Sequence, residues 1–289
     1  MTPIPITGAT RVLAIFGRPI IHVLSPMMHN AALTAGGVDA VLVPFSPPPE
    51  ALEQSLRGIV AAGCAGLCIT IPYKTAVVPM MDSLAPSARL AGAVNTVQVG
   101  ADRQLSGYNT DVEGVLRGLR ALNPRLRRRA VLLGAGGAAR AAAAALALGG
   151  VERLTVLNRT LEKASALARD LAADGMAIDS APLDFSNLAR HLGEADLLVN
   201  TTSVGMYPQG RETPVPGNLL RPGLDVIDAI YRPEPTRLCR EARATGAEAV
   251  TGLDWIIAQG AFALKHWLGL DADEAAMRTA LVRYLTSES

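Results

Sequence analysis

The stretch "VLLGAGGAARAAAAAL" at residues 131–146 decides the fold of this chain. Gly134, Gly136 and Ala139 fit the pattern G-x-G-x-x-G/A, which here follows an apolar strand and opens a helix, as the pattern requires. The first glycine permits a tight turn, the second lets backbone approach a pyrophosphate, and the alanine lets helix and strand pack closely. The helix N-terminus offers N–H groups and a positive dipole to an anion. The segment predicts a dinucleotide site, with a turn that binds no ligand as the alternative for the motif taken alone.

The end of the next predicted strand, "RLTVLN" (153–158), favours NADP over NAD. NAD-binding folds usually place Asp or Glu here, roughly 20 residues after the glycines, to hold the ribose hydroxyls. This chain has Arg159 instead, and an arginine can stack on adenine while it faces a 2′-phosphate. An ordinary surface charge is the alternative for Arg159. The predicted cofactor-binding residues of this region are Gly134, Ala135, Gly136, Gly137, Ala138, Asn158, Arg159, Thr160 and Lys163.

Strand-like apolar runs alternate with helix-like stretches on both sides of the motif. This alternation predicts an α/β fold with mostly parallel sheet covered on both faces. The strand-like runs lie at residues 12–16, 41–45, 66–70, 130–134, 153–158, 195–200 and 224–231. Helices are expected at residues 26–35, 49–63, 74–84, 253–270 and 272–286, and a Pro- and Gly-rich surface loop at 208–223.

Length and composition indicate a globular chain of two domains. The chain has 289 residues, of which 49% are hydrophobic and 18% charged, against a prior of roughly 150 residues per domain. The net charge of +1 gives no electrostatic footprint for nucleic acid or an anionic membrane. The basic cluster "RLRRR" (125–129) is short and has no aromatic residue to stack on a base, so we interpret it as a solvated turn. The longest apolar run, 141–151, is shorter than the roughly 20 residues that a bilayer requires.

The cysteines and the N-terminal residues predict a cytoplasmic protein without a metal site. Cys64, Cys68 and Cys239 have neither the number nor the spacing of a disulfide framework or a zinc site. Reduced thiols are typical of the cytoplasm. Residues 1–10 contain neither the basic segment nor the apolar segment of a secretory signal.

Two polar residues are candidates for proton transfer. Lys74 lies just beyond an apolar strand in "CITIPYKTAV" (68–77), and Asp111 precedes a predicted helix in "SGYNTDVEG" (106–114). An unperturbed lysine has a pKa of ~10.4, so proton exchange at neutral pH needs partial burial and a suitable neighbour. A solvated surface lysine and a helix-capping aspartate are the alternatives, and spacing alone does not choose.

Nine motifs occur in the order expected for the shikimate dehydrogenase family. They are "GRPIIHVLSPMMHN", "TIPYK", "AGAVNT", "GYNTDVEG", "GAGGAAR", "NRT", "NTTSVGM", "DAIYRPEPTRL" and "GLDWIIAQGA". The chain therefore resembles this family from about residue 11 to 270. The resemblance implies an αβα substrate domain formed by residues 1–111 and completed by 252–289. It implies a Rossmann-type, doubly wound NADP-binding domain at residues 112–251.

The resemblance also implies roles for individual residues. Lys74 would exchange a proton with the substrate hydroxyl while hydride moves to or from nicotinamide C4, and Asp111 would hold the ammonium group and contact a neighbouring hydroxyl. The residues implied to bind substrate are Ser25, Thr70, Asn95, Tyr231 and Gln259. Those implied to lie near the cofactor are Thr201, Ser203, Ala229 and Gly252. The reaction would be the NADP-linked interconversion of 3-dehydroshikimate and shikimate, carried out by a monomer or homodimer.

Three residues depart from the pattern of the family. The usual loop H-S-x-S-P has two serines that reach the substrate carboxylate, and this chain keeps Ser25 but has Val23 in place of the first. Losing one hydrogen bond to a charged acceptor costs roughly 1.5–3 kcal/mol, or ~10- to 100-fold in the use of a carboxylate substrate. Cys68 replaces the usual Asn, and Trp255 stands where a Met often lines the nicotinamide pocket. These departures indicate either drift within the family, compensated by contacts from elsewhere, or a different substrate such as quinate, an aminoshikimate or another cyclic polyol acid.

Proteins of two other classes are compatible with parts of this pattern. One is a ligand-sensing module that keeps the fold without turnover, which the presence of both Lys74 and Asp111 disfavours. The other is a methylenetetrahydrofolate dehydrogenase, which has a comparable two-domain plan. The order of the motifs and the Gln-containing C-terminal helix favour the shikimate dehydrogenase family.

Overall fold

The computed structural model describes residues 5–122, 126–171 and 176–287. Arg125 of the basic cluster and both ends of the predicted substrate domain, residues 1–4 and 288–289, lie outside the described residues. The strands are β1 (Arg11–Phe16), β2 (Ala40–Phe45), β3 (Gly66–Ile69), β4 (Ser83–Leu84), β5 (Thr96–Val99), β6 (Leu105–Tyr108), β7 (Arg129–Leu133), β8 (Arg153–Asn158), β9 (Ala177–Pro182), β10 (Leu197–Asn200), β11 (Asp225–Asp228) and β12 (Ala249–Val250). The α-helices are α1 (Ser25–Ala35), α2 (Leu52–Ala61), α3 (Pro86–Ala91), α4 (Thr110–Ala121), α5 (Gly137–Leu148), α6 (Leu161–Asp170), α7 (Phe185–Leu192), α8 (Arg237–Ala244), α9 (Gly252–Leu268) and α10 (Glu274–Ser287).

The chain divides into two compact units, each with its own six-stranded sheet. The first unit lies within Met1–Thr110 and Ile257–Ser289, and the second is Asp111–Ile256. The α/β class and the two-sheet organisation agree with the sequence prediction. Helices α4 and α9 each contribute residues to both units.

The sheet of the first unit is mixed rather than mostly parallel. Its order is β2-β1-β3-β5-β6-β4, and β5 runs antiparallel to both β3 and β6. The physical reason is the connection between β5 and β6, which is short enough for a tight turn. Arg103 takes a φ of 66° in it, and the Gly100 N–H donates to the Gln104 carbonyl at 2.9 Å. A parallel neighbour would instead need a crossover of a dozen or more residues.

The core of the first unit forms where helix α2 covers the sheet. Leu52, Leu56 and Val60 recur at helical spacing and are buried against strand residues such as Leu67 and Val97. Fully burying each such side chain contributes roughly 1.5–3 kcal/mol.

The prediction of a helix at residues 74–84 is wrong. The structure has turns there, a 3₁₀ turn at Val78–Met80 and the short strand β4. Pro79 is the reason, because it lacks an N–H group and its ring would clash with the Thr75 carbonyl of an α-helix. The backbone closes i→i−3 bonds instead, with Val78 N–H donating to the Thr75 carbonyl and Met80 N–H to the Val77 carbonyl.

The sheet of the second unit is parallel and doubly wound. Its order is β12-β11-β10-β7-β8-β9, and all the pairings are parallel. Counted from β7, this is the order 3-2-1-4-5-6 of a dinucleotide-binding fold. The order of the strands reverses between β7 and β10, and in such folds ligands bind in the crevice outside the carboxyl ends of the strands at this point.

The second unit corrects one further expectation. Segment 208–223 is irregular, as predicted, and includes a 3₁₀ turn at Gly217–Leu219. It is not simply a surface loop, because Val215 and Leu220 are buried in the core beside Val226 and Leu238. The two apolar side chains anchor the segment to the sheet, which its Pro and Gly content does not indicate.

Within the described residues, no helix is long and apolar enough to cross a bilayer. No three His, Cys, Asp or Glu side chains of that part cluster closely enough to hold a metal ion. Cys64, Cys68 and Cys239 are buried and form no disulfide. Burial raises the pKa of Cys239 to about 12, with the nearby Asp228 charge adding to the shift, so this thiol stays protonated.

Candidate active site

Strand β7 of the second unit ends in a turn that only glycine can form. Gly134 has a φ of +106°, and its N–H donates to the Leu157 carbonyl at 2.9 Å. A Cβ at this position would lie 2.6 Å from the Thr201 hydroxyl oxygen, which itself donates to the Leu133 carbonyl at 2.6 Å. The turn therefore brings together two residues that the sequence assigned to one site, Gly134 and Thr201.

Gly136 is a glycine that neither the backbone nor its neighbours require. It caps helix α5 with φ −92° and ψ −168°, which is ordinary extended backbone, and no heavy atom lies within 4 Å of an added Cβ. This open space lies at the N-cap of a 12-residue helix, whose first turn contains Gly137 and Ala138 with N–H groups that no carbonyl of the helix accepts. A phosphate fits such a cradle, so the observed residues suit the pyrophosphate of a dinucleotide.

The carboxyl end of β8 carries exposed positive charge. Arg159, Thr160 and Lys163 are exposed, and the Asn158 side-chain amide donates to the Thr160 carbonyl at 2.9 Å. Strand β8 pairs directly with β7, so these residues follow the strand next to the glycine turn, on the same edge of the sheet. Charge at this position suits an anionic group on the ribose.

The carboxyl ends of β10 and β11 are joined by a buried polar pair that the sequence analysis missed. The Asn200 amide nitrogen donates to the Asp228 carboxylate at 2.9 Å, and both side chains are fully buried. The predicted cofactor residues Thr201 and Ser203 follow Asn200, and Ala229 follows Asp228. An aspartate closing an apolar strand was the available signal.

Gly252 begins helix α9 where no side chain would fit. A Cβ there would lie 2.5 Å from the Ala229 carbonyl oxygen, and the Gly252 N–H donates to the Ile230 carbonyl at 3.3 Å. The structure thus brings Gly252 and Ala229 together, as expected for one site. Tyr231 follows on the same segment, half-buried, and burial raises the pKa of its hydroxyl.

Trp255 is part of the core of the second unit. Its side chain is buried, and its ring packs on Gly114 of α4, where a Cβ would lie 2.7 Å from Trp255 Cδ1. The small residue at position 114 therefore accommodates the large one at position 255.

The first unit contains a buried hydrogen-bond network around Asn95. Its Oδ1 accepts from the Thr110 N–H at 2.7 Å and from the Thr96 hydroxyl at 3.1 Å, which fixes the amide orientation. Its Nδ2 donates to the Thr110 hydroxyl at 3.1 Å, and that hydroxyl donates to Gln259 Oε1 at 3.5 Å. The network brings Asn95 and Gln259 together through Thr110, a residue that the sequence analysis did not select. The second N–H of Asn95 has no partner among the described residues.

The loop after β1 packs tightly against the end of β3. A Cβ on Gly17 would lie 2.4 Å from the Thr70 methyl group, and the Thr70 N–H donates to the Phe16 carbonyl at 2.8 Å. Ser25 is the first residue of α1 and is buried. Val23 is half-buried in the same loop, with its N–H donating to the Ile20 carbonyl.

The two candidates for proton transfer are distributed between the units. Lys74 lies in the first unit, half-buried, and its carbonyl accepts from the Val94 N–H at 2.8 Å. Asp111 lies in the first turn of α4 at the start of the second unit, and it is buried. It directly follows Thr110 of the Asn95 network.

His29 is a buried residue that sequence analysis did not select. Its Nδ1–H donates to the Ser25 carbonyl at 2.8 Å, one turn earlier in α1, and its ring lies 5.6 Å from that of Trp267. Burial lowers its pKa from 6.5 to about 4, so the imidazole is neutral at pH 7. Its position at spacing i+4 from Ser25 was the available signal.

Comparisons with known proteins find two matching families and similar relatives. Residues 15–97 match the family described as shikimate dehydrogenase substrate binding domain, and residues 120–208 match the family described as shikimate / quinate 5-dehydrogenase. A protein of Moorella thermoacetica named "Shikimate dehydrogenase (NADP(+))" is 43% identical over 284 residues, covering 96% of this chain and 95% of that protein.

Solved structures of similar chains share the whole fold. The shikimate 5-dehydrogenase from Thermus thermophilus, in complex with NADP(H) and shikimate, is 38% identical with a TM-score of 0.82, covering 95% of this chain and 99% of that chain. The quinate dehydrogenase from Corynebacterium glutamicum, in complex with NAD, is 32% identical with a TM-score of 0.87, covering 95% and 99%.

Proposed function

The chain belongs to the shikimate dehydrogenase family, and we propose that it is an NADP-dependent shikimate dehydrogenase that interconverts shikimate and 3-dehydroshikimate. The observation that carries this proposal is the similarity along nearly the whole chain to a relative of that name. Residues 1–111 with 252–289 form the substrate domain in this proposal, and residues 112–251 form the cofactor domain.

The cofactor side of the proposed site uses backbone and positive charge. NADP supplies a hydride acceptor and donor at nicotinamide C4. Residues 134–138 hold its pyrophosphate in the open cradle at the start of α5, which the space beside Gly136 supports. Arg159, directly after β8, and Lys163, in the first turn of α6, hold the 2′-phosphate, and the exposure of both side chains supports this role. The remaining cofactor contacts are assigned to Asn158, Thr160, Thr201, Ser203, Ala229 and Gly252.

The substrate side uses side chains. Lys74 exchanges a proton with the reacting hydroxyl, and its partial burial supports this role. Asp111 holds the Lys74 ammonium group. Asn95 offers a substrate hydroxyl its remaining N–H, since its oxygen is occupied by Thr110 and Thr96. The other substrate contacts are assigned to Ser25, Thr70, Tyr231 and Gln259.

A second candidate is a dehydrogenase for a related acid such as quinate. Val23 removes a hydroxyl from the loop that starts α1, and the quinate dehydrogenase is among the similar structures. The discriminating experiment measures kcat/KM for shikimate and quinate, each with NADP⁺ and NAD⁺. We expect the largest value for shikimate with NADP⁺. A larger value for quinate would establish the second candidate, and a larger value with NAD⁺ would remove the role given to Arg159.

We also propose a cytoplasmic location, in keeping with three buried cysteines that form no disulfide. The proposed assembly is a monomer or homodimer, which light scattering at several protein concentrations distinguishes.

A further inference from the structure

Asp228 is a fully buried carboxylate at the carboxyl end of β11 in the second unit. Its Oδ1 accepts from Asn200 Nδ2 at 2.9 Å and from the Ile230 N–H at 3.1 Å. Its Oδ2 accepts from the Thr236 hydroxyl at 2.7 Å. The three donors come from three different segments of the chain.

The surroundings of the donors fix their direction. Asn200 Oδ1 accepts from the Thr202 N–H at 3.0 Å and from the Thr202 hydroxyl at 2.8 Å, so its amide nitrogen faces Asp228. The Thr236 hydroxyl accepts from the Cys239 N–H at 3.2 Å as the N-cap of α8, so its hydrogen points to Asp228. All three groups therefore donate to an acceptor, which is the arrangement that an ionised carboxylate requires.

Burying the Asp228 carboxylate destabilises the fold unless all three hydrogen bonds to it are formed. Burial raises the pKa of Asp228, while the hydrogen bonds from Thr236, Ile230 and Asn200 oppose that shift. A buried carboxylate is tolerated only when its oxygens are hydrogen-bonded. The loss of one donor therefore destabilises the contact between Asp228 and all three donor segments. The three segments are consequently held in one arrangement rather than several.

Two of the three connected segments, those of Asn200 and Ile230, lead directly to proposed contact residues. Asn200 shapes the turn that carries Thr201, and the Thr201 hydroxyl reaches the Leu133 carbonyl below the glycine turn. Ile230 lies between Ala229 and Tyr231, and its carbonyl accepts from the Gly252 N–H. One carboxylate thus links the ends of β7, β10 and β11 and the start of α9.

We propose that Asp228 is a positioning residue, which aligns the segments carrying Thr201, Ser203 and Ala229 for cofactor binding. This inference rests on the proposed function, because it takes those segments as cofactor contacts. Asp228 does not touch the reacting atoms in this proposal. Its loss therefore affects the affinity for NADP⁺ more than the rate of the chemical step.

The test compares two carboxylates on the same strand. Asp228→Asn replaces one acceptor oxygen by an NH₂ group that faces a donor. Asp225→Asn, the control, changes a buried carboxylate at the opposite end of β11, where its partner is Arg127 at 2.5 Å. NADP⁺ binding is measured by calorimetry for the wild type and both variants, below their unfolding temperatures, together with KM for NADP⁺ and kcat.

We expect Asp228→Asn to weaken NADP⁺ binding about 10-fold, the scale on which partners that orient a ligating group act, with KM for NADP⁺ rising in parallel. The value of kcat at saturating cofactor should stay within about 3-fold, and Asp225→Asn should bind NADP⁺ like the wild type. Unchanged binding in Asp228→Asn would overturn the inference, as would equal weakening in Asp225→Asn. No NADP⁺ binding by the folded wild type would overturn the proposed function itself.

A second pair of variants decides the question if Asp228→Asn does not fold. Thr236→Val keeps the shape of the side chain but removes the hydroxyl that donates to Asp228, and Thr236→Ser restores it. Weaker NADP⁺ binding in Thr236→Val with wild-type binding in Thr236→Ser supports the inference. Wild-type binding in both variants overturns it.

Discussion

In the proposed function, the two units form their ligand sites by different means. The second unit relies on backbone, with glycines at positions 134, 136 and 252, two of which leave no room for a side chain. The first unit relies on side chains, with Asn95, Thr110 and Gln259 in one buried hydrogen-bond network. Backbone N–H groups of one continuous segment are sufficient to hold a pyrophosphate. A polyol needs donors and acceptors gathered from distant parts of the chain.

The sharpest test of this division is the loss of the proposed proton-transfer group. We expect Lys74→Ala to lower kcat by about 10³-fold, because a positioned acid–base group contributes roughly 10²- to 10⁴-fold. NADP⁺ affinity measured by calorimetry should not change, since the cofactor site lies in the second unit. The control is Lys265→Ala, which removes an exposed lysine of the first unit paired with Asp271. A kcat within tenfold of the wild-type value for Lys74→Ala would contradict the assignment.

Removal of the positive charge after β8, in the second unit, should weaken the use of NADP⁺ without affecting the use of NAD⁺. We expect Arg159→Ala to raise KM for NADP⁺ by ~10- to 100-fold, the loss of a charge-assisted hydrogen bond to phosphate, and to leave KM for NAD⁺ nearly unchanged. Arg169→Ala provides the control, because this exposed arginine lies at the far end of the helix that follows Arg159. Equal loss with both cofactors would show that Arg159 does not contact the 2′-phosphate.

Acid should destabilise the first unit through His29. Its pKa in the folded chain, about 4, lies below the unfolded value of 6.5, so the stability it contributes is complete above pH 6.5 and declines as the pH falls toward 4. Between pH 7.5 and pH 5 the loss is about 2 kcal/mol. Urea unfolding at the two pH values measures it in the wild type and in His29→Gln, where this share of the loss should vanish. His22→Gln, at an exposed position of the same unit, should keep the wild-type dependence, and a dependence in His29→Gln as steep as that of the wild type would contradict the explanation.

The smallest expected effect is that of substituting glycines by alanine, which distinguishes a glycine required for cofactor binding from one required by the backbone. Gly136→Ala introduces a Cβ into open space at an ordinary φ, so the thermal stability should not fall. NADP⁺ binding should nevertheless weaken by about 1 kcal/mol, because the Cβ fills the cradle at the helix N-terminus. Gly150→Ala is the control: its Cβ also meets open space, but the φ of +82° makes the substitution strained, so it should cost stability and leave NADP⁺ binding unchanged. Unchanged NADP⁺ binding in Gly136→Ala would place the pyrophosphate elsewhere.

The features that could be predicted from the sequence are those whose signals are local. The glycine turn and helix α5 were predictable because their signals are local, and the α/β class followed from the alternation of apolar runs. The helix expected at residues 74–84 failed because apolar spacing was given more weight than Pro79. Thr110 and Asp228 were missed because their partners lie in segments that only the fold brings together. His29 was missed because its burial sets the protonation state of the imidazole, and its spacing from Ser25 does not reveal that burial. The alternatives for Lys74 could not be separated for the same reason, because burial is not a local property of the sequence.

The most direct measurement follows the transferred hydrogen. Shikimate that carries deuterium on the reacting carbinol carbon is incubated with NADP⁺ and the wild-type protein, and the nicotinamide product is analysed by mass spectrometry and NMR. We predict one deuterium at C4 of the reduced nicotinamide for each 3-dehydroshikimate formed, and a rate of transfer about 10³-fold lower with Lys74→Ala. NADP⁺ that binds but gains no deuterium from shikimate would contradict the account, and the same assay with deuterated quinate would then distinguish a dehydrogenase for a related acid from a binding protein of this fold.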